Sequence, residues 1–226
     1  MASGICFSNF MVLRLFFQRR MKRGRKPKTA PRATAEMSVP WGTVAGASAA
    51  AREEMRAKWR DAVTKGRDMK PMSPAWITHC LDEVKGQDAI VIKESPITFE
   101  HMRFTKPGTM FSVGAAGGLG WGLGTSLGIK AAVGDELVIC TVGDGAYMFG
   151  NPLPAHYVSR AENLPMLTVV FNNQMWGAVK RNTREVYPSG YAAKSNREPL
   201  TYFDVSIGFE KAVETVDGYG ERVEDP

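Results

Sequence analysis

The chain has 226 residues, of which 44% are hydrophobic and 10% aromatic, which fits one globular domain of ordinary size with extensions. The formal net charge of +6 does not indicate a nucleic-acid-binding protein, because nine of the 29 Lys and Arg residues lie between Arg14 and Arg32. From Glu36 onward 20 basic residues face 23 acidic ones, so the body of the chain is mildly acidic.

Residues 1–40 are predicted to be a basic, disordered leader. The apolar run at residues 5–17 is interrupted by Arg14 and is shorter than the ~20 residues that span a bilayer. Basic residues follow this run, whereas in a secretory signal they precede it. The three cysteines have no metal-ligand spacing and form no complete disulfide framework. We therefore expect a cytoplasmic protein with no membrane partner; the alternative is an organelle transit peptide and a mitochondrial location.

Residues 41–71 are predicted to contain a helix and a linker. Apolar positions repeat at helical spacing between residues 49 and 65. Gly66 and Pro71 then interrupt the pattern, as is typical of a connecting segment. This helix could be the remnant of a preceding domain.

From Met72 the sequence alternates between helical and strand patterns. Ser73 followed by Pro74 is a typical helix start, with serine as the N-cap. Strands are predicted at residues 89–92, 137–142 and 166–171, and further helices after the glycine-rich segment and at residues 153–162. Residues 72–226 are therefore predicted to be an α/β domain, a parallel sheet with helices on both faces. In such sheets ligands bind beyond the carboxyl ends of the strands.

Two polar segments follow strands that are consecutive in the chain. Asp144 comes just after one strand, and Asn172-Asn173 just after the next. A right-handed crossover makes such strands neighbours about 4.8 Å apart, so Asp144 and Asn173 can share a magnesium ion with ligand distances of about 2.1 Å. Magnesium usually shares its shell with phosphate, and Gly143 and Gly145 let backbone N–H groups approach one. The spacing therefore predicts a magnesium site that holds a diphosphate.

The sequence Gly143-Asp144-Gly145, then 26 residues, then Asn172-Asn173 resembles the cofactor motif of thiamine diphosphate-dependent decarboxylases, lyases and carboligases. The segments GGLGWGLG and ENLPMLTVVFNNQMWGAV are similar to the acetolactate synthase-like branch. The resemblance covers roughly residues 72–226 and identifies them as the diphosphate-binding domain. It implies thiamine diphosphate and Mg²⁺ as cofactors, and a 2-keto acid or an aldehyde as substrate.

The resemblance also implies roles for individual residues. Asp144 and Asn173 would bind magnesium through their side chains, and Met175 through its backbone carbonyl. The residues implied to contact the cofactor are Gly117, Leu119, Gly143, Gly145, Ala146, Gly177 and Val179.

Four of these residues have a specific implied contact. Gly117 would accept a hydrogen bond from the 4′-amino group of the pyrimidine, and Leu119 would separate the two rings of the cofactor. Gly145 and Ala146 would donate backbone N–H groups to the diphosphate. Ala146 lies at a position that is commonly serine in the family, and therefore lacks one hydroxyl contact.

The catalytic residue is not assigned. Family members use a glutamate from a separate pyrimidine-binding domain, and no segment of residues 1–71 is long enough to be that domain. The resemblance thus implies a pyrimidine-binding domain from a missing segment or another chain, and a homodimer or homotetramer when intact. We expect the chain to stop before the end of the family domain and to be inactive alone. The alternative is a non-catalytic remnant or regulatory partner that retains the fold.

Other residues are given structural roles. The glycine-rich segment nowhere satisfies G-x-G-x-x-G, so a dinucleotide site is not expected. Gly120, Gly124 and Gly128 fall on one helical face and predict close helix packing, within the domain or across a dimer.

Glu94, Trp176 and the three histidines are other polar or aromatic residues of the domain. Glu94 is predicted to be an ordinary solvated strand end; the alternative is that it faces the cofactor cleft. Trp176 is predicted either to shape the substrate channel or to pack in the core. The histidines are predicted to be surface or helix residues without catalytic roles: His79, His101 and His156.

Overall fold

The computed structural model of the protein describes residues 9–14, 45–94, 97–114, 117–195, 198 and 200–226. The strands are β1 (Asn9–Arg14), β2 (Ile90–Glu94), β3 (Met110–Ser112), β4 (Val138–Gly143), β5 (Leu167–Asn172) and β6 (Tyr219–Val223). The longer helices are α1 (Ala45–Gly66), α2 (Pro74–Lys85), α3 (Trp121–Val133), α5 (Pro152–Ala161) and α6 (Gly177–Val186). The shorter helices are α4 (Asp144–Phe149), α7 (Tyr191–Lys194) and α8 (Glu210–Glu214).

The strands form one six-stranded sheet in the order β3-β2-β4-β5-β1-β6. The four strands β3, β2, β4 and β5 are parallel, so their carboxyl ends lie at the same edge. The register places Glu94 beside Val142 and Gly143 beside Phe171. The three predicted strands are therefore present, each shifted by one or two residues at its ends.

Helices cover both faces of the sheet, as predicted. Successive residues of a strand point to opposite faces, so each central strand contributes to two cores. One core joins the sheet to α3, α4 and α8 and includes Ile92, Cys140, Val142, Val170, Leu123, Tyr147 and Val213. The other joins it to α2 and includes Val91, Ile139, Val169, Phe171, Ile77 and Leu81. Burying each such aliphatic side chain contributes about 1.5–3 kcal/mol, which fixes the sheet as the rigid base of the domain.

Helix α2 begins where the sequence predicts. The Ser73 side chain accepts the backbone N–H of Trp76 at 3.1 Å, and Pro74 occupies the first helical position. The cap satisfies one of the N–H groups that a helix start leaves without a partner.

The residues before Met72 depart from the prediction in one respect. The predicted leader lies outside the described residues except at Asn9–Arg14, which form β1 antiparallel to both β5 and β6. The predicted helix is α1, which packs against α2 and places Trp59 5.8 Å from His101 between ring centroids. In the part of the chain that the structure describes, no helix has the length and apolar character needed to cross a membrane.

Candidate functional site

The carboxyl ends of β2, β4 and β5 supply polar residues to one cavity of about 310 Å³, called here the Asp144 cavity. Its lining comprises Glu94, Leu119, Gly143, Asp144, Gly145, Ala146, Phe171, Asn173, Met175, Trp176, Gly177, Ala178, Val179 and Arg181. Nine of the ten predicted site residues are in this set. The tenth, Gly117, lines a neighbouring cavity of about 440 Å³, the Gly117 cavity, which shares Glu94 and Leu119 with the first.

The carboxylate of Asp144 forms hydrogen bonds at the ends of two neighbouring strands. It is 2% exposed, and its Oδ1 accepts the N–H of Gly145 at 2.8 Å. Its Oδ2 accepts the backbone N–H of Asn173 at 3.1 Å. The structure thus brings together the two residues that the spacing paired, because β4 and β5 are adjacent and parallel. Their binding of a metal ion remains a prediction.

The carboxylate of Asp144 is suited to a cation. Burial raises its pKa to about 6, against the lowering effect of the backbone N–H groups around it. Among the described residues no Lys or Arg forms an ion pair with Asp144. A buried carboxylate without a counter-ion is unfavourable, and a divalent ion would remove that cost.

The other oxygen donors lie in the turn after β5. The Asn173 Oδ1 accepts the N–H of Met175 at 3.2 Å, and the Met175 carbonyl accepts the N–H of Gly177 at 2.9 Å. Each oxygen keeps a second lone pair. The described residues hold no cluster of three His, Cys, Asp or Glu side chains, so an ion here would rely on one carboxylate, one amide, one carbonyl and the ligand. An all-oxygen set of this kind suits Mg²⁺.

Two glycines of the site have a close neighbour where a larger residue would place its Cβ. A Cβ at Gly145 would lie 2.7 Å from Cε3 of Trp176, and a Cβ at Gly177 would lie 3.0 Å from Nδ2 of Asn173. A Cβ at Gly143 would meet nothing within 4 Å, so sterics do not explain that glycine. The N–H of Gly145 donates to Asp144, and its contact with a diphosphate stays a prediction.

Trp176 lines the cavity and packs against a neighbouring ring, and its role in a substrate channel stays a prediction. Its indole lines the Asp144 cavity and packs edge to face on Phe203, with 5.4 Å between centroids. Its backbone N–H donates to the carbonyl of Thr201 at 2.8 Å. The wall of the cavity is therefore tied to the chain segment that follows α7.

The prediction that Glu94 is an ordinary solvated strand end was wrong, and its place in the lining of both cavities fits the alternative, that it faces the cleft. The residue is half-buried, and its carboxylate accepts the N–H groups of Gly120 and Gly122, the second at 2.7 Å. Burial raises its pKa. The available signal was an acidic residue at the end of a buried strand followed by a glycine-rich segment, since exposed N–H groups at a helix start attract a carboxylate.

The glycine face of α3 was only partly predicted. A Cβ at Gly120 would lie 2.6 Å from the backbone nitrogen of Gly150, so these two segments pack backbone to backbone. Gly124 and Gly128 are exposed and meet no described atom within 4 Å of a Cβ position. The packing prediction within the domain is therefore wrong for these two residues.

Two further residues have features that were not predicted from the sequence. Arg181, on α6, lines the Asp144 cavity, and no role was predicted for it. His156 lies in α5 as expected but is fully buried, and its Nε2 hydrogen-bonds the Tyr147 hydroxyl at 2.6 Å. Neither position has a local sequence signal, since cavity lining and burial depend on packing between helices.

The sequence is similar to several characterised proteins. It is 31% identical over 123 residues to the acetolactate synthase large subunit of Buchnera aphidicola subsp. Acyrthosiphon pisum (strain APS), covering 54% of this chain and 20% of that protein. It is 32% identical over 93 residues to the sulfoacetaldehyde acetyltransferase of Alcaligenes xylosoxydans xylosoxydans, covering 41% of this chain and 15% of that protein. The chain thus spans a fifth or less of the length of these relatives.

The fold is shared with a solved structure, the benzoylformate decarboxylase from Polynucleobacter necessarius. The TM-score is 0.55 at 20% identity, over 67% of this chain and 28% of that one. Residues 95–226 match the family described as thiamine pyrophosphate enzyme, C-terminal TPP binding domain, which is more than half of the chain. The chain therefore belongs to the thiamine pyrophosphate enzymes and carries their C-terminal cofactor-binding domain.

Proposed function

We propose that the Asp144 cavity binds Mg²⁺ and thiamine diphosphate, as part of an acetolactate synthase-like decarboxylase, lyase or carboligase. The observation that carries the proposal is the buried Asp144 carboxylate, hydrogen-bonded to the backbone of Asn173 where two parallel strands end. Relatives that include a synthase and an acetyltransferase support this shared chemistry. A 2-keto acid or an aldehyde is the proposed substrate class.

The chain's own residues have separable tasks in this proposal. Asp144, Asn173 and the carbonyl of Met175 would hold the ion, which would supply positive charge for binding the diphosphate. Arg181 lines the same cavity and would add a positive charge that favours binding of the phosphate groups. Leu119 borders both cavities, where an apolar side chain can separate two rings. The cofactor, when bound, would supply a nucleophilic carbon, and the residues of the chain would orient it and exclude water.

Titration calorimetry of the full chain with thiamine diphosphate tests this proposal. We expect binding only when Mg²⁺ is present, and none for Asp144→Asn, which removes the charged ligand. Asp135→Asn is the matched control, because Asp135 is exposed and outside both cavities. Absence of binding by the unchanged protein with Mg²⁺ would contradict the proposal and favour a non-catalytic relative that only retains the fold.

Turnover is proposed to need a further group. Family resemblance implies a glutamate from a pyrimidine-binding domain, so we propose that this chain binds the cofactor but does not turn over a 2-keto acid by itself. Release of carbon dioxide from pyruvate, measured with and without an added pyrimidine-binding domain, tests this. Turnover by the isolated chain would contradict it.

A further inference from the structure

Glu94 lies between the two cavities of the site. It is the last residue of β2, and it lines both the Asp144 cavity and the Gly117 cavity. Only Leu119 shares that position among the described lining residues. Glu94 therefore lies at the boundary between the two cavities.

The carboxylate of Glu94 caps a neighbouring helix. Helix α3 begins after Gly120, which has no side chain to cap it, and Glu94 accepts the N–H groups of Gly120 and Gly122 in that place. Both oxygens are used, one for each donor. A negative charge at the start of this 13-residue helix also interacts favourably with the helix dipole.

The segment that Glu94 holds, residues 120–122, is also closely packed against its neighbours. A Cβ at Gly122 would lie 2.6 Å from Oε2 of Glu94 and 3.2 Å from Sγ of Cys140. On the other side Gly120, at φ 83°, packs on the backbone of Gly150. Leu119 immediately precedes this clamped turn, so its position depends on the contact with Glu94.

The polar residues that are proposed to bind the ion are held in place separately from Glu94. Asp144 and Asn173 are fixed by hydrogen bonds to each other and to their own turns, without any bond to Glu94 among those described. Changing Glu94 should therefore leave the ion and diphosphate groups in place and disturb the side formed by Leu119 and Gly117.

We propose that Glu94 is a positioning residue for the ring side of the cofactor site: it holds the turn after Leu119, and through it sets the affinity for the thiamine portion. This inference rests on the proposed function. It divides the site into a part that binds any magnesium diphosphate and a part that distinguishes thiamine diphosphate from inorganic pyrophosphate.

The test compares the full chain with Glu94→Gln in calorimetric titrations with two ligands, thiamine diphosphate and inorganic pyrophosphate, each with Mg²⁺. Glutamine keeps the shape but has one acceptor oxygen, so one of the two N–H groups loses its partner. We expect about tenfold weaker binding of thiamine diphosphate, the effect of one lost charge-assisted hydrogen bond, and pyrophosphate binding changed by less than about twofold.

Two further variants complete the test. Glu94→Asp keeps the charge on a shorter side chain and should recover part of the lost affinity for thiamine diphosphate. Glu162→Gln, at an exposed glutamate outside both cavities, should match the unchanged protein with both ligands. If Glu94→Gln does not fold, the Asp variant alone decides between a selective loss and an equal loss.

The outcomes are distinguishable. Equal losses for both ligands, or no loss for either in the Glu94 variants, would overturn the role of Glu94 while leaving the proposed function intact. Failure of the unchanged protein to bind either ligand with Mg²⁺ would overturn the proposed function, and this inference with it.

Discussion

The carboxylate of Asp144 accepts the backbone N–H of Asn173 at 3.1 Å, although the two residues are 29 positions apart in the chain. The bond closes the gap between the carboxyl ends of β4 and β5, which are paired in parallel register. The charge of Asp144 is thereby fixed at the centre of the site before any ligand arrives.

Replacing Asp144 by Asn should abolish ligand binding while changing the stability of the ligand-free protein only slightly. The change removes a charge that burial disfavours but also one of two hydrogen-bond acceptors, so we expect the ligand-free Tm to change by less than about 4 °C. Ligand at 100 times its Kd stabilises the unchanged protein by about 2.7 kcal/mol, and this shift should disappear in Asp144→Asn. Thermal unfolding with and without Mg²⁺ and thiamine diphosphate measures both effects. A full ligand-induced shift in the variant would show that Asp144 is not a ligand.

Gly145→Ala should damage the site sterically. The new Cβ would lie 2.7 Å from the Trp176 ring, and such overpacking costs about 1–3 kcal/mol, partly offset by the better helix propensity of alanine. Chemical denaturation measures the loss. Gly143→Ala is the matched control, because its Cβ meets open space and should change stability by less than about 0.5 kcal/mol.

The Trp176 ring is the proposed cause of the Gly145 effect. Adding Trp176→Phe to Gly145→Ala removes the ring atoms that the Cβ would touch, so the two changes together should cost less than their sum. If the losses of unfolding free energy in the two single variants simply add in the double variant, this contact is not the cause.

The buried pair of Tyr147 and His156 should make stability depend on pH. Burial lowers the pKa of His156 to about 4, below the ~6.5 of an exposed histidine. As the pH falls, the unfolded chain therefore takes up a proton before the folded chain does. His156 thereby lowers the free energy of unfolding by up to about 3 kcal/mol between about pH 6.5 and pH 4.

The His156 contribution has to be measured as a difference. Asp144 acts in the opposite direction, because its raised pKa lets the folded state bind a proton first as the pH falls through about 6. Urea unfolding at several pH values, compared between the unchanged protein and His156→Gln, isolates the histidine. Parallel stability curves for the two proteins would contradict the prediction.

Arg181 should contribute affinity without contributing stability. Two other bases of α6, Lys180 and Arg184, form ion pairs with the buried Glu198, and Arg181 lines the Asp144 cavity. We expect Arg181→Met to weaken binding of thiamine diphosphate about fivefold, with Tm unchanged and a smaller dependence of Kd on salt. Arg52→Met, at an exposed position of α1, is the control for loss of one charge. Equal affinity in Arg181→Met and the control would exclude a contact with the diphosphate.

Local patterns were enough to predict the central part of the domain. Apolar runs located β2, β4 and β5, and the Ser73-Pro74 pair located the start of α2. The pairing of Asp144 with Asn173 was also predictable, because consecutive parallel strands joined by a right-handed crossover end at the same edge. These features depend on residues that are close in sequence or on a rule of chain connection.

The remaining contacts of the site could be identified only from the tertiary structure. Glu94 meets Gly122 across 28 positions, Trp176 covers Gly145, and Gly120 packs on Gly150. None follows from the periodicity of a single element, because each is set by how one helix or turn is placed against another. The sequence by itself determined the central strands and the pairing of Asp144 with Asn173, since hydrophobic periodicity and the order of connections can be read directly from it. Only the tertiary structure decided how the glycine-rich turn is held beside it, since that depends on close packing between distant segments.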